Sequence, residues 1–218
     1  MIPAYQAEGS IGPLVRAIVA QNLPVIVVDD ASSDQTSAKA RRAGARVITR
    51  RVNGGKGTAL RQGCAAALAD RFRWVLIMDA DGQHLPSEIP LLLKAAACGE
   101  VDLILGNRMS HPKGMPWERR LTNRLMSSIL SALAHQRITD TQCGFRLVSS
   151  SVLEGIKLTS ERFEIDSELV VKAARAGFRI CSVPVSSIYQ RNVSFIRPFQ
   201  DTGRFIRFLF SVRRSPRP

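Results

Sequence analysis

Residues 24–30 read Pro-Val-Ile-Val-Val-Asp-Asp, and this stretch decides the fold class. Its consecutive β-branched residues are typical of a strand that is buried on both faces, as in a parallel sheet. Asp29 and Asp30 stand where that strand ends. The stretch therefore predicts a central strand of an α/β sheet with carboxylates at its carboxyl end.

Helices and strands alternate on the C-terminal side of this stretch. Ala31-Ser-Ser-Asp34 offers turn and N-cap chemistry for a helix, and Gly44 follows as its cap. The alternation predicts a doubly wound, mostly parallel sheet, in which ligands bind beyond the carboxyl ends of the strands. The further predicted elements are strands over 45–49, 74–78 and 101–105, a glycine-rich turn over 53–57, and helices from there to about 69 and over 86–98.

The second half of the chain is less regular. Residues 118–133 are predicted to form a helix, because Leu121, Leu125, Ile129 and Leu133 fall on one stripe. We expect a loop entering a strand over 139–147, a helix over 165–176 and a strand over 178–185.

The predicted α/β fold fills a single domain over residues 1–196, and residues 197–218 form a basic amphipathic helix and tail. In that helix, one stripe is apolar and the opposite stripe is basic, which is the pattern of an interfacial helix. A helix packed on the domain explains the pattern equally well. The apolar stripe holds Phe205, Phe208, Leu209 and Val212, and the opposite one holds Arg204, Arg207, Ser211 and Arg214.

The chain is strongly basic, since 31 Lys and Arg against 18 Asp and Glu give a formal net charge of +13. This balance suits nucleic acid, an anionic membrane or phosphorylated ligands, unless the cations only solvate the surface. Arginines concentrate over 108–124 and 204–217, which favours phosphorylated ligands or a membrane. Nucleic acid is disfavoured as a partner, because only 6% of residues are aromatic and the basic residues flank acidic motifs.

The four cysteines, Cys64, Cys98, Cys143 and Cys181, lie far apart and show no metal-ligand spacing. They predict reduced core thiols in a cytosolic protein. No signal peptide is recognisable, and no run approaches the ~20 apolar residues of a spanning helix. We therefore expect a cytoplasmic protein that is peripheral at the inner face of the membrane.

A second acidic motif, Asp79-Ala-Asp81-Gly-Gln83, follows the predicted strand over 74–78. Two carboxylates with one residue between them at a strand end can reach the same hard cation. Mg²⁺ or Mn²⁺ held in this way bridges to substrate phosphates. An isolated motif of this kind also fits a capping or solvated acid, so its place after a buried strand is what favours the metal.

Taken in order, the motifs resemble family 2 glycosyltransferases, which have the GT-A nucleotide-diphospho-sugar transferase fold. Within that family they look like the branch of dolichol-phosphate mannose synthases and polyprenyl-phosphate glycosyltransferases. The resemblance runs from about residue 3 to about residue 207. It is carried by Asp29-Asp-Ala-Ser-Ser-Asp34, Asn53-Gly-Gly-Lys-Gly57, Asp79-Ala-Asp-Gly-Gln-His84, Gly106-Asn-Arg108, Glu118-Arg-Arg-Leu121 and Asp140-Thr-Gln-Cys-Gly-Phe-Arg146.

The resemblance implies an inverting transfer from a nucleotide sugar, of the GDP-mannose or UDP-glucose type, to a polyprenyl phosphate. Asp30 would hold the nucleobase, with Pro3 and Tyr5 lining its pocket. Arg191, with Ser194 near it, matches a loop that closes on the donor phosphates. The metal ligands would be Asp79, Asp81 and Gln83. Of these, Asp79 and Asp81 would also be the catalytic residues. The acceptor phosphate would be bound by Arg108, Arg119 and Asn123.

Charge chemistry agrees with this resemblance. Two phosphorylated substrates repel each other unless cations intervene, and arginine forks suit phosphate. Lys56 either approaches a donor phosphate from its glycine-rich turn or only closes that turn. His84 is predicted to be a hydrogen-bonded turn residue and not a ligand.

A phosphate acceptor is already ionised and needs no general base, whereas a sugar hydroxyl does. Glu164, Asp166 and Glu168 lie where hydroxyl-accepting relatives place acids, so Asp166 either contacts the sugar or only begins a helix. A family 2 enzyme of cell-surface polysaccharide synthesis, with a sugar hydroxyl acceptor, is therefore the alternative. A sugar nucleotidyltransferase is disfavoured, because the chain lacks a glycine-rich opening followed by basic residues.

The start of the chain departs from the family. Relatives begin with a full apolar strand, whereas only Met1 and Ile2 precede Pro3. A clipped first strand would weaken the central sheet and the base pocket. Ala7 stands where relatives often have a glutamate, so no nucleotide contact is expected from that position.

Overall fold

The computed structural model describes residues 1–110, 112 and 114–188. Strands and helices alternate along these residues, as the sequence predicts. In chain order the elements are β1 (Ile2–Ala4), α1 (Ile11–Val19), β2 (Ile26–Asp29), α2 (Thr36–Arg42), β3 (Arg46–Thr49), α3 (Lys56–Ala69), β4 (Trp74–Ile77), a 3₁₀ turn (Pro86–Glu88), α4 (Ile89–Ala97), β5 (Leu103–Asn107), a second 3₁₀ turn (Arg108–Ser110), α5 (Trp117–Ala134), β6 (Arg146–Ser149), α6 (Ser150–Gly155), α7 (Ile165–Arg175) and β7 (Ile180–Pro184).

The strands form two ladders that meet at the start of the chain. β1, β2 and β3 pair in parallel, and the other ladder has the order β4-β6-β5-β7. The Met78 N–H donates to the Met1 carbonyl at 3.2 Å, which places β1 beside β4. The predicted mostly parallel sheet is confirmed, with β6 as the exception because it runs antiparallel to both β4 and β5.

Helices cover both faces of the sheet, and the side chains of β2 show it directly. Val27 packs in a core cluster with residues of α1 and α4, such as Leu14 and Leu92. Its neighbours Ile26 and Val28 point to the opposite cluster, which is built from α3 and α7. Both faces of the Pro24–Asp30 stretch are therefore buried, and this is the physical reason for its continuous apolar run.

The first strand is short but present. Pro3 pairs with Val28 in the parallel register of β1 and β2, so the central sheet is intact despite the short start. The helix α1, which was not predicted, has a clear signal, since Ile11, Leu14, Val15 and Ile18 follow helical spacing and are buried.

The expectation for the cysteines needs correction, and the one for the C-terminal segment falls outside the described residues. Cys98 is exposed and Cys181 is half-buried, so only Cys64 and Cys143 are core thiols. Within the described ranges, no helix has the length and apolar character to cross a membrane. The predicted C-terminal helix and the 196/197 boundary lie outside the described residues.

Candidate active site

The carboxyl ends of β1, β2 and β4 lie along one edge of the sheet, as expected for parallel strands. Asp29 ends β2 and Asp30 follows it, while Asp79 and Asp81 follow β4. Lys56 begins the helix that packs between them. The acidic motifs found in the sequence are thus brought to a common edge.

Asp30 holds the glycine-rich turn. Its Oδ1 and Oδ2 accept hydrogen bonds from the backbone N–H groups of Gly54 at 3.0 Å and Gly55 at 2.7 Å. The Arg50 guanidinium lies 3.3 Å from Oδ1. Gly55 has φ +86°, and a Cβ there would lie 2.6 Å from the Glu161 carbonyl oxygen, so the turn requires glycine. Asp30 is only 3% exposed, so one role of its carboxylate is to hold the glycine-rich turn in place.

The other predicted base-pocket residues lie at the end of β1. Pro3 is buried within the strand. Tyr5 follows it with 42% of its surface exposed. The chain then turns back to α2, where the Ala7 N–H donates to the Thr36 hydroxyl at 2.8 Å. Tyr5 therefore presents an accessible ring beside a fixed loop.

Lys56 does more than close its turn. Its Nζ lies 2.7 Å from Asp79 Oδ1 and 2.7 Å from Asp166 Oδ2, with 11% of the side chain exposed. Burial alone would lower the pKa of Lys56, but the negative charges of Asp166 and Asp79 raise it. The amine is therefore a cation held between the half-buried carboxylate of Asp79 and the buried carboxylate of Asp166.

The two acids of the Asp-Ala-Asp motif differ in their electrostatics. Burial would raise the pKa of Asp79, but the charge and hydrogen bond of Lys56 outweigh it and the net shift is downward. Burial, followed by the negative charge of Asp79, raises the pKa of Asp81. The Gln83 N–H donates to Asp81 Oδ1 at 3.0 Å and fixes the turn. The motif thus gathers negative charge that an additional cation would stabilise.

These residues fit Mg²⁺ or Mn²⁺ only as part of a shared coordination shell. Among the described residues, no group of three or more His, Cys, Asp or Glu side chains could hold a metal ion. Mg²⁺ in nucleotide sites takes one or two carboxylates and completes its shell with phosphate oxygens and water. Asp79 and Asp81 supply two carboxylates, and the Gln83 backbone lies against Asp81.

Gly144 and His84 shape the space around Asp79. A Cβ on Gly144 would overlap the Asp79 carboxylate, so glycine is required there. His84 is 4% exposed, and its ring centroid lies 5.4 Å from that of Phe145. Burial, opposed in part by Asp79, lowers the pKa of His84 to about 4, so the ring is neutral near pH 7. No described group pairs with its Nδ1, so the expected hydrogen bond of that nitrogen is not found.

Arg108 is engaged with an acid that sequence reasoning did not single out. Its Nε and Nη2 donate to Asp140 Oδ2 at 2.8 Å and Oδ1 at 2.9 Å. Asp140 is fully buried. The Arg108 backbone N–H also donates to Asp140, at 3.1 Å. This bidentate pair fixes the guanidinium before any ligand arrives.

Arg119 and Asn123 lie on α5 at an interval of four residues, so they share one face of the helix. Arg119 is exposed and Asn123 is half-buried. Within the described part of the chain, neither side chain has an ion pair or hydrogen bond. The described residues therefore show no hydrogen bond that links Arg119 or Asn123 to Arg108.

Arg146 is the last residue of the motif that begins at Asp140, and its role was not predicted. It is fully buried on β6, and its Nε, Nη1 and Nη2 donate to the carbonyls of Cys143 at 2.6 Å, Asp166 at 2.6 Å and Thr141 at 2.9 Å. Its Nη1 also lies 3.4 Å from Asp166 Oδ1. A buried arginine needs such partners, and only the folded chain reveals them. Arg191 and Ser194 lie outside the described residues.

Known proteins resemble the chain over most of its length. The family described as Glycosyl transferase family 2 matches residues 1–157. An undecaprenyl-phosphate mannosyltransferase of Micrococcus luteus is 30% identical over 202 residues, a match that covers 86% of this chain and 82% of that protein. A UDP-N-acetylglucosamine–dolichyl-phosphate N-acetylglucosaminyltransferase of Methanococcus voltae is 28% identical over 212 residues, covering 87% and 84%.

A solved structure also resembles the chain. Glucosyl-3-phosphoglycerate synthase from Mycobacterium tuberculosis, crystallised with Mn²⁺, uridine diphosphate and phosphoglyceric acid, superposes with a TM-score of 0.74. The match covers 97% of this chain and 75% of that one at 22% identity, so the likeness is one of fold.

Proposed function

The chain belongs to glycosyl transferase family 2 and has the GT-A fold, and from this premise we propose that it transfers a sugar from a nucleotide sugar to a polyprenyl phosphate. The chain is a glycosyltransferase; the acceptor, the metal and the inverting course are the proposal. The observation that supports it most is the arrangement of Asp79, Lys56 and Asp166, in which one amine engages two carboxylates of the site while Asp81 remains beside them to receive a metal ion.

Asp79 and Asp81, with Gln83, are the proposed ligands of Mg²⁺ or Mn²⁺. When bound, the metal neutralises the donor diphosphate and assists its departure as the leaving group. Asp79 is fixed by Lys56, and Asp81 is fixed by the Gln83 backbone, so the motif is arranged before the donor binds. Lys56 lies close enough to this motif to meet a donor phosphate, which keeps its proposed donor-binding role.

The nucleotide is proposed to bind over the end of β1 and the turn that Asp30 holds. Tyr5 offers an exposed ring for the base, and Pro3 stiffens the strand below it. Each carboxylate oxygen can accept two hydrogen bonds, so Asp30 can accept one from a base while it holds Gly54 and Gly55. Arg191 keeps its proposed role as a donor-phosphate contact from outside the described residues.

The acceptor phosphate is proposed to meet Arg119 and Asn123 on α5, with Arg108 nearby. A guanidinium has five N–H donors, and Asp140 takes two of those on Arg108. The two hydrogen bonds to Asp140 fix the orientation of the Arg108 guanidinium. The named relatives of Micrococcus and Methanococcus, which act on polyprenyl and dolichyl phosphates, support this acceptor class.

The surroundings of Asp166 also support a phosphate acceptor. Its carboxylate lies 2.7 Å from Lys56 Nζ and 3.4 Å from Arg146 Nη1, so it is already engaged by two cations of the chain. A phosphate acceptor needs no base. The alternative, a sugar hydroxyl acceptor, is favoured by one observation: no described group hydrogen-bonds to the buried Asp166 Oδ1. We place the enzyme at the cytoplasmic face of a membrane as a peripheral protein.

The deciding experiment incubates purified protein with radiolabelled nucleotide sugars, one at a time, and with either a polyprenyl phosphate or a panel of soluble saccharides. We expect label to enter the lipid only, and only with Mg²⁺ or Mn²⁺ present. Transfer to a saccharide with the lipid unlabelled would establish the alternative. Full transfer in the presence of a chelator would remove the metal from the proposal.

A further inference from the structure

One face of α5 exposes large apolar side chains. Trp117, Leu121 and Leu125 have 69%, 61% and 60% of their surface exposed. They follow one another at intervals of four residues and therefore form a continuous stripe, which we call the α5 stripe. The opposite face of the helix packs on the domain through Leu130 and Ala134. Exposed apolar side chains that line up in this way mark an interaction surface.

Cationic side chains border the α5 stripe. Arg120 and Arg124 are four residues apart on its flank, and Arg124 also lines a cavity of about 440 Å³ with Arg137. No carboxylate of the described residues pairs with Arg124 or Arg137. Most other lining groups are polar, among them Ser127, Ser128 and Ser131. A polar, cationic cavity thus lies directly beside an apolar stripe.

We propose that the α5 stripe rests on an anionic lipid bilayer, with Trp117, Leu121 and Leu125 in the interfacial layer and Arg124 among the lipid phosphates. Tryptophan and leucine on one side of a helix, with arginines beside them, are the composition of helices that lie in a membrane interface. The inference deepens the proposed function, on which it rests for the identity of the lipid acceptor. It brings the surface that carries Arg119 to the membrane in which a polyprenyl phosphate resides.

Charge favours a lipid bilayer on the α5 stripe over two other partners, a second copy of the chain and its own C-terminal segment. A second copy of this chain, with a net charge of +13, would bring the same arginines against themselves. Residues 189–218 contain seven arginines and one aspartate, so that segment would meet Arg120 and Arg124 with like charge. An anionic lipid surface matches both the apolar stripe and the cations on its flank.

The test measures co-sedimentation with vesicles of phosphatidylglycerol mixed with phosphatidylcholine. The stripe variant is Leu121→Glu/Leu125→Glu, and the matched control is Leu91→Glu/Leu93→Glu, which changes two leucines of α4 that are 45% and 38% exposed. We expect the stripe variant to bind about tenfold or more weakly than the wild type, and the control to change by about twofold or less. Both variants should keep the wild-type circular dichroism spectrum and melting temperature, since all four positions are exposed.

Several outcomes would overturn the inference. These are equal binding of the stripe variant and the wild type, equal losses in the stripe and control variants, or wild-type binding that is the same on pure phosphatidylcholine. A dimeric wild type with a monomeric stripe variant in sedimentation velocity, without a difference on vesicles, would assign the stripe to a second copy. Binding that is lost on truncation after Pro198 but kept in the stripe variant would assign the membrane contact to the C-terminal segment.

A second assay separates this inference from the proposed function. The wild type and the stripe variant are given the nucleotide sugars with a short, water-soluble polyprenyl phosphate. Equal turnover of both, with slower turnover of the variant only on vesicles, supports the inference. No turnover of either protein on any lipid phosphate overturns the proposed function, whereas the vesicle measurements still decide whether the α5 stripe contacts a membrane.

Discussion

The sheet edge proposed to bind the donor, which we call the donor edge and which carries Asp30 and Asp79, differs from the proposed acceptor helix α5 in how its charges are partnered. At the donor edge, Asp30 and Asp79 are held by backbone N–H groups and by the Lys56 amine. On α5, Arg119 is exposed and has no described partner, and the stripe beside it is apolar. A buried charge requires a partner of opposite charge within the chain, whereas an exposed charge is solvated by water until a ligand binds.

This difference predicts which substitutions will affect folding and which will affect only ligand binding. Interactions between buried charges are strong, so changes at the donor edge should affect folding and catalysis together. Changes on α5 should affect only the handling of the acceptor. Four substitutions test that contrast, in order of decreasing effect.

Loss of the Lys56 cation should have the largest effect. Lys56→Met removes the cation that lies between the half-buried Asp79 and the buried Asp166, and breaking a buried charge pair typically costs about 3–5 kcal/mol. We expect urea titration to show a free energy of unfolding that is lower by this amount. Lys39→Met is the control, because its pair with Glu8 spans 3.6 Å between partly exposed side chains and should contribute at most about 1 kcal/mol. Equal losses in the two variants would contradict the contrast.

Gly144→Ala should come next. The new Cβ would overlap the Asp79 carboxylate and push it from its place beside Lys56. We expect turnover to fall by about 150-fold, equivalent to about 3 kcal/mol, with a loss of stability of about 1–3 kcal/mol. Gly9→Ala is the matched control, because no atom lies within 4 Å of its Cβ position. Near-normal turnover in Gly144→Ala would show that the position of Asp79 is unimportant.

Asp81→Asn should reduce turnover by about a hundredfold, or about 2.7 kcal/mol, because it removes one of the two carboxylates among the proposed metal ligands. Asparagine has the same shape, and its Oδ1 can still accept the Gln83 N–H, so the melting temperature should not change. Chelation should have the same effect on the wild type and little further effect on the variant. Asp70→Asn, which disrupts a surface pair with Arg46, serves as the control. A fully active chelated enzyme would falsify the metal role.

Arg119→Ala should have the smallest of the four effects and should be confined to the acceptor. Removing one charged partner of the phosphate is expected to raise the acceptor KM about 30-fold, equivalent to about 2 kcal/mol. Donor affinity and unfolding should not change. The alternative acceptor class expects a mild Arg119→Ala and a severe Asp166→Ala, so kinetics on both variants, corrected for the folded fraction, separate the two functions.

The sequence predicts the donor edge better than its internal pairing. The run that ends at Asp29 and the Asp79-Ala-Asp81 motif were sufficient to predict strands, sheet edge and acids. That Lys56 meets Asp166 could not be foreseen, because the two residues are 110 positions apart and local patterns carry no such contact. The pairing of Arg108 with Asp140 was hidden for the same reason.

On the acceptor side, the sequence predicts elements but not their surroundings. The helix over 118–133 was correct, yet periodicity alone does not say that the first half of its apolar stripe remains exposed. A hydrophobic pattern also does not indicate the direction of a strand, so the antiparallel orientation of β6 could not be predicted. The nucleobase, metal and acceptor roles of individual residues stay predictions.

Arg146 has a consequence for which substitutions the chain can tolerate. Its guanidinium alone joins two separate segments, because it donates to the carbonyls of Cys143 and Thr141 before β6 and to that of Asp166 on α7. A lysine could not replace it, because an ammonium lacks the planar fork that reaches three carbonyls at fixed angles. Replacing Arg146 by any other residue should therefore leave three buried carbonyls without their donor and separate the loop before β6 from the start of α7.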